Sequence, residues 1–96
     1  MQKRFLTLFI SIILSYSVFA QVYDAEKVNP KAVKLYMEAM QQAENEHFVE
    51  GITLLKKAVV IDPKYADAWL SIAGMYGEMK DYAQAIYHYK KAEAID

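Results

Sequence analysis

Few side chains in this sequence could ligate a metal or transfer a proton. The two histidines, His47 and His88, have no cysteine and no second histidine at metal-ligand spacing. His47 falls in a predicted turn, and His88 is predicted on the outer face of the last helix. Both are therefore interpreted as solvated surface residues rather than ligands.

Three carboxylates, Glu44, Glu46 and Glu50, surround the turn that holds His47. Catalysis would require a paired acid and base in a dry cleft, whereas charges beside helix ends explain these residues without any reaction. The sequence has no glycine-rich phosphate loop and no nucleophile elbow. We therefore predict no catalytic, cofactor-binding or metal-binding residues, no cofactor, and a protein that is not an enzyme.

The first twenty residues have the three-part layout of a secretory signal peptide. Lys3 and Arg4 form the basic start, residues 5–18 are an uncharged apolar run, and Val18 and Ala20 precede a cleavage site. An uncleaved membrane anchor is the alternative, but the run is shorter than the roughly 18–20 residues of a comfortable span. We predict a signal peptide over residues 1–20 and export to the periplasm or cell envelope, with no membrane span in the mature chain.

The predicted mature chain, residues 21–96, is mildly acidic. Two of the 11 basic side chains lie in the signal peptide, which leaves nine against 12 acidic ones and a net charge of −3. This balance lacks the positive surface that nucleic-acid binding needs, so we predict no nucleic-acid partner. Because the sequence has no cysteine, helix packing alone must stabilise it.

The most informative pattern is a repeat with a period of 34 residues. Residues 32–62 align with residues 66–96, and nine of the 31 pairs are identical, among them Ala39/Ala73 and Ile52/Ile86. A fixed period in this range is typical of a solenoid, in which one supersecondary unit stacks on the next.

Each unit is predicted to be a pair of antiparallel helices, so the fold class is all-α. Asn29 and Asp81 are predicted caps, and Pro30 and Pro63 mark a helix start and a break. After a linker over residues 21–30, helices are predicted over residues 31–46, 48–61, 66–79 and 82–95. The residues of the last helix predicted to face inward are Tyr82, Ala85, Ile86, Tyr89 and Ala92.

Small residues are predicted where the helices of a hairpin cross, because they let the axes approach to the short end of about 8–10 Å. Ala39 would meet Gly51 in the first hairpin, and Ala73 would meet Ala85 in the second. The large residues predicted to fill the space around these crossings are Leu35, Phe48, Leu55, Trp69, Tyr82 and Tyr89.

This pattern resembles the tetratricopeptide repeat. The motif places of that family fall in the second repeat on Trp69, Ile72, Ala73, Tyr76, Ala85, Tyr89 and Ala92. In the first repeat they fall on Leu35, Glu38, Ala39, Gln42, Gly51, Leu55, Ala58 and Pro63. Glu38 and Gln42 depart from the apolar motif, as is common in a leading repeat. The repeats are assigned to residues 31–65 and 66–96, the second truncated at its end.

The resemblance implies a right-handed superhelix of helix pairs, in which the first helices line a concave groove that receives a peptide or partner segment. The groove residues that it implies are Val33, Tyr36, Met40, Ala43, Asp67, Leu70, Gly74 and Gly77. Tyr36 is the tyrosine with the strongest case for recognition, although packing between the repeats explains it equally well.

We therefore predict an exported scaffold or adaptor that binds a protein or peptide. The chain also resembles the start of bacterial envelope proteins in which such repeats lead into a β-propeller and an OmpA-like peptidoglycan-binding domain. The alternative is thus the N-terminal leader of a larger envelope protein, peptidoglycan-associated or enzymatic, whose active domain lies beyond Asp96.

Because two repeats are fewer than stability usually needs, and the last helix would leave its stacking face bare, we expect marginal stability or self-association through that helix, for example as a homodimer.

Overall fold

A computed structural model describes residues 27–95 of the chain. Within that range the secondary structure consists of four α-helices without a strand, which confirms the predicted all-α class. The helices are α1 (Pro30–Glu44), α2 (Phe48–Ile61), α3 (Ala66–Glu78) and α4 (Tyr82–Glu93). No helix in this range is long and apolar enough to cross a membrane. The predicted signal peptide and most of the predicted linker lie outside the described residues.

Two of the helices begin at the predicted caps. The Asn29 side chain accepts a hydrogen bond from the backbone N–H of Lys31 at 2.9 Å, and Pro30 is the first residue of α1. The Asp81 carboxylate accepts one from the backbone N–H of Gln84 at 3.3 Å. Each cap satisfies an amide that has no partner within the helix, which fixes where α1 and α4 start.

Three helices end earlier than predicted. α1 stops at Glu44 and α3 at Glu78, because each hairpin turns through a residue with positive φ, Glu46 in the first and Lys80 in the second. α4 stops at Glu93 and is followed by a turn at Ala94.

The four helices form two hairpins that pack on each other. α1 packs on α2, α2 on α3, and α3 on α4, so that α2 and α3 each have helices on two sides. The main core joins the hairpins. It comprises Ala32, Ala39, Ile52, Leu55, Ala58, Val59, Tyr65, Ala68, Ile72 and Met75.

Gly51 lies in tight contact beside this core. A Cβ atom on Gly51 would stand 2.8 Å from Met75 Sδ and 3.3 Å from the Ala39 carbonyl oxygen. The predicted Ala39–Gly51 crossing is therefore confirmed, and Met75 of the second hairpin fills the space beside it. In the second hairpin, Ala73 and Ala85 are both buried.

The predicted inward face of α4 is partly wrong. Ala85 and Ala92 are buried, but Tyr82, Ile86 and Tyr89 are exposed. The physical reason is that α4 packs chiefly on α3, so the side of the helix that carries these three residues has no described helix against it.

Hydrogen bonds fix the loop between the hairpins. The Trp69 indole N–H donates to the Pro63 carbonyl at 2.8 Å. The Asp62 carboxylate accepts from the backbone N–H of Lys64 at 3.3 Å and from that of Asn29 at 3.0 Å. Asp62 thus connects this loop to the start of α1, and Trp69 connects it to α3.

Candidate functional site

Eight residues on α1 and α3 form the surface for which the sequence predicted binding, and we call it the groove face. Each helix contributes four residues at successive spacings of three, four and three, which places them on one side of the helix. None of the eight is fully buried. They are Val33, Tyr36, Met40 and Ala43 on α1, and Asp67, Leu70, Gly74 and Gly77 on α3.

The α1 part of the groove face is anchored in the protein. Val33, Tyr36, Met40 and Ala43 are half-buried and pack against the main core. Because one side of each side chain is held by neighbours, these residues present apolar surface at a small cost in side-chain entropy. This half of the face is apolar, and Tyr36 and Met40 are its large side chains.

Tyr36 also joins the two hairpins. Its ring centroid lies 5.3 Å from that of Tyr65, with the ring planes tilted by 38°. Its hydroxyl accepts a hydrogen bond from Ser71 Oγ at 3.4 Å. Tyr36 therefore packs between the repeats and keeps a partly accessible ring, so both interpretations that the sequence allowed apply to it.

The α3 part of the groove face is open. Gly74 and Gly77 occupy the places of Met40 and Ala43 one period later, and a Cβ added at either would meet no atom within 4 Å. Leu70, at the place of Tyr36, is exposed over 44% of its surface. The surface of α3 next to the exposed Leu70 side chain is therefore bare at both glycine positions. Asp67 is the one charged residue of the groove face.

His88 is not where the sequence predicted it. Its side chain is 4% exposed, and its ring lies among three aromatic rings, with centroid distances of 5.9 Å to Trp69, 5.2 Å to Tyr76 and 4.9 Å to Tyr87. Its Nδ1 lies 2.7 Å from the Gln84 carbonyl oxygen. A carbonyl oxygen can only accept, so Nδ1 is the donor in this hydrogen bond.

The repeat contained a signal for this burial. The residue 34 positions before His88 is Leu54, an apolar residue that packs against the core. His88 also follows Ala85 by three residues and precedes Ala92 by four, which places it on the stripe that α4 buries. Histidine at this place supplies a flat ring and one hydrogen bond.

The remaining candidates for chemistry lie at the surface. His47 is exposed, with Nδ1 3.1 Å from the Gln42 side-chain oxygen, and Glu44, Glu46 and Glu50 are exposed as well. Over residues 27–95, no three side chains of His, Asp or Glu gather closely enough to hold a metal ion.

No known family model matches the chain, and no curated protein matches it either.

Proposed function

We propose that this chain is an exported interaction module of the tetratricopeptide type, which binds a peptide or an extended partner segment along the groove face. The proposal rests on the 34-residue period, on the resemblance of its residues to that motif, and on the shape of the groove face. One observation carries it: side chains fill the α1 half of the face, whereas the glycine positions leave the α3 half open.

The proposed mechanism is burial of apolar partner side chains against Tyr36, Met40 and Leu70. Full burial of one leucine-sized side chain contributes about 1.5–3 kcal/mol. Two or three such side chains, after the cost of ordering a flexible peptide, give the modest affinity typical of peptide recognition. Gly74 and Gly77 give a partner side chain access to the α3 backbone, and Asp67 would favour a basic residue at that end of the partner.

A charge placed in the groove face tests this mechanism. Met40→Glu puts a carboxylate where the partner would be desolvated, and we expect at least about a tenfold loss of affinity, which corresponds to 1.4 kcal/mol. The matched control is Met37→Glu, which adds the same charge to an exposed position of the same helix outside the groove face. Circular dichroism checks that both variants remain helical.

Phage display can supply the ligand. Random 12-residue peptides are displayed on phage and selected for binding to the immobilised protein. The expected result is enrichment of peptides rich in apolar residues that bind the Met37→Glu variant normally and the Met40→Glu variant poorly. Selection of no peptide, or of peptides that ignore both substitutions, would contradict the groove assignment.

A further inference from the structure

We propose that α4 is a second interaction surface, and that its partner is a second copy of this chain, packed antiparallel on the first about a two-fold axis. The contact would be made by a stripe of four exposed residues, which we call the α4 stripe: Tyr82, Ile86, Tyr89 and Glu93. This surface is separate from the groove face.

The α4 stripe is accessible, and three of its four residues are large side chains with mostly apolar surface. Tyr82, Ile86 and Tyr89 are 62%, 55% and 44% exposed. At about 100° per residue they lie within an arc of roughly 60°. The residues that α4 buries against α3, Ala85, His88 and Ala92, lie about a quarter-turn away. The stripe is therefore a continuous second side of the helix rather than a set of scattered exposed residues.

On α2 of the first hairpin, the residues one period before the apolar residues of the α4 stripe are packed inside the protein. Phe48, Ile52 and Leu55 precede Tyr82, Ile86 and Tyr89 by one period. Ile52 and Leu55 are buried, and Phe48 packs against the core, because α3 lies on that side of α2. The α4 stripe thus has the residue types of a helix-packing surface but no described helix on it.

The outer side of α1 does not match this surface. α3 contributes Ala68, Ile72 and Met75 to the main core, and one period earlier α1 carries Lys34, Glu38 and Gln41. Placing α1 of one copy on the α4 stripe of another would bury an ammonium, a carboxylate and an amide against apolar side chains, which is costly. Head-to-tail stacking is therefore disfavoured.

The α4 stripe is complementary to itself. When two copies of α4 pack antiparallel about an axis between Ile86 and Tyr89, Ile86 of each copy faces Tyr89 of the other. Tyr82 of each copy then faces Glu93 of the other, where its hydroxyl can donate a charge-assisted hydrogen bond to the carboxylate. Such a contact uses one patch twice and closes after two copies.

The small size of the contact favours weak, reversible association. α4 has 12 residues and is therefore about 18 Å long, so its contact is smaller than the roughly 800 Å² per partner of a standard interface. We expect a reversible dimer with a dissociation constant of about 100 µM.

Sedimentation equilibrium tests the proposal on the protein as isolated from cells, with its N terminus determined by intact mass. Concentrations should run from about tenfold below to tenfold above the expected constant. The expected result is a monomer–dimer equilibrium that Ile86→Glu weakens at least about tenfold and that Val60→Glu, an equally charged change at an exposed place on α2, leaves unchanged. A monomer at all concentrations, growth beyond dimers, or equal effects of both substitutions would overturn the proposal.

Two substitutions of opposite charge at one place test the antiparallel register. Tyr82→Lys faces Glu93 of the other copy with a cation and should preserve the dimer, whereas Tyr82→Glu faces it with a second carboxylate and should weaken the dimer. Tyr82 is exposed, so both variants should fold, which circular dichroism checks. Equal dissociation constants for the two variants would refute the pairing of Tyr82 with Glu93.

Discussion

Glu46 and Lys80, one period apart, have the same left-handed backbone conformation, with φ values of 60° and 63°. The hydrogen bonds around them also match. The N–H groups of Glu46 and His47 donate to the carbonyls of Ala43 and Gln42 at 2.9 Å. Those of Lys80 and Asp81 donate to the carbonyls of Gly77 and Tyr76, again at 2.9 Å. The period of the sequence is therefore also a period of the backbone, although neither residue is a glycine.

This conformation predicts that Lys80→Gly will stabilise the protein. A side chain in the left-handed region costs about 1–2 kcal/mol, whereas the added flexibility of glycine in the unfolded chain costs about 0.5–1 kcal/mol. The expected gain is about 0.5–1 kcal/mol, measured by urea denaturation followed by circular dichroism. Lys57→Gly is the matched control, because Lys57 lies inside α2, where glycine should cost about 1 kcal/mol. A loss of stability in both variants would argue against strain at Lys80.

The tight packing around Gly51 and the open space beside Gly74 predict opposite results at these two glycines. Gly51→Val would push Met75 and the Ala39 carbonyl apart and should lower the free energy of unfolding by about 1–3 kcal/mol. Gly74→Val meets open space and should be neutral or slightly stabilising, because valine has the higher helix propensity. Chemical denaturation of the two variants compares them directly, and similar midpoints would show that the helices have room to separate.

The two histidines should differ in their effect on stability. His88→Ala removes a buried ring from among Trp69, Tyr76 and Tyr87, and should cost about 2–4 kcal/mol through the cavity that it leaves. His47→Ala changes an exposed turn residue and should stay within about 0.5 kcal/mol of the parent. Thermal melts read by circular dichroism provide the measurement. Should His47→Ala prove the more damaging of the two, the burial of His88 would be in error.

The proposed export predicts cleavage after Ala20. We expect the exported protein, recovered from the cell envelope, to begin at Gln21, as read by intact mass spectrometry. Ala20→Trp places a bulky residue immediately before the cut and should block processing, whereas Phe19→Trp changes the neighbouring position, where size matters less, and should leave it intact. A precursor that stays uncleaved in the parent protein would favour the membrane-anchor alternative.

Much of the fold could be predicted because its signals are local. Asn29 and Asp81 cap helices through their own side chains, and Pro63 interrupts the chain wherever it stands. The Ala39–Gly51 crossing followed from the repeat, since small residues recur at the same places. The left-handed backbone conformation of Glu46 and Lys80 could not be predicted. Glycine or asparagine usually occupies such a position, and here the residues are a glutamate and a lysine.

The side chains of α4 show why burial was harder to predict. Helical periodicity shows which residues share a side of a helix, but not which of two adjacent sides meets a neighbour. Tyr82 and Tyr89 were therefore predicted inside and lie outside, and His88 was predicted outside and lies inside. On the groove face, the 34-residue period was enough to predict that Leu70 occupies the place of Tyr36 one repeat later. The contact of Tyr36 with Tyr65 depends on how the hairpins stack, which no local pattern specifies.

Trp69, whose indole N–H donates a hydrogen bond to the Pro63 carbonyl, can serve as a fluorescent reporter of unfolding. Trp69 is the sole indole in the chain, and it lies where the second hairpin leaves the first, with the His88 ring 5.9 Å away. Its emission should follow the separation of the hairpins, whereas far-ultraviolet dichroism follows helix content in all four segments. Coincident curves from the two signals would mean that both repeats melt as one cooperative unit, and an earlier change in emission would mean that the joint between them opens first.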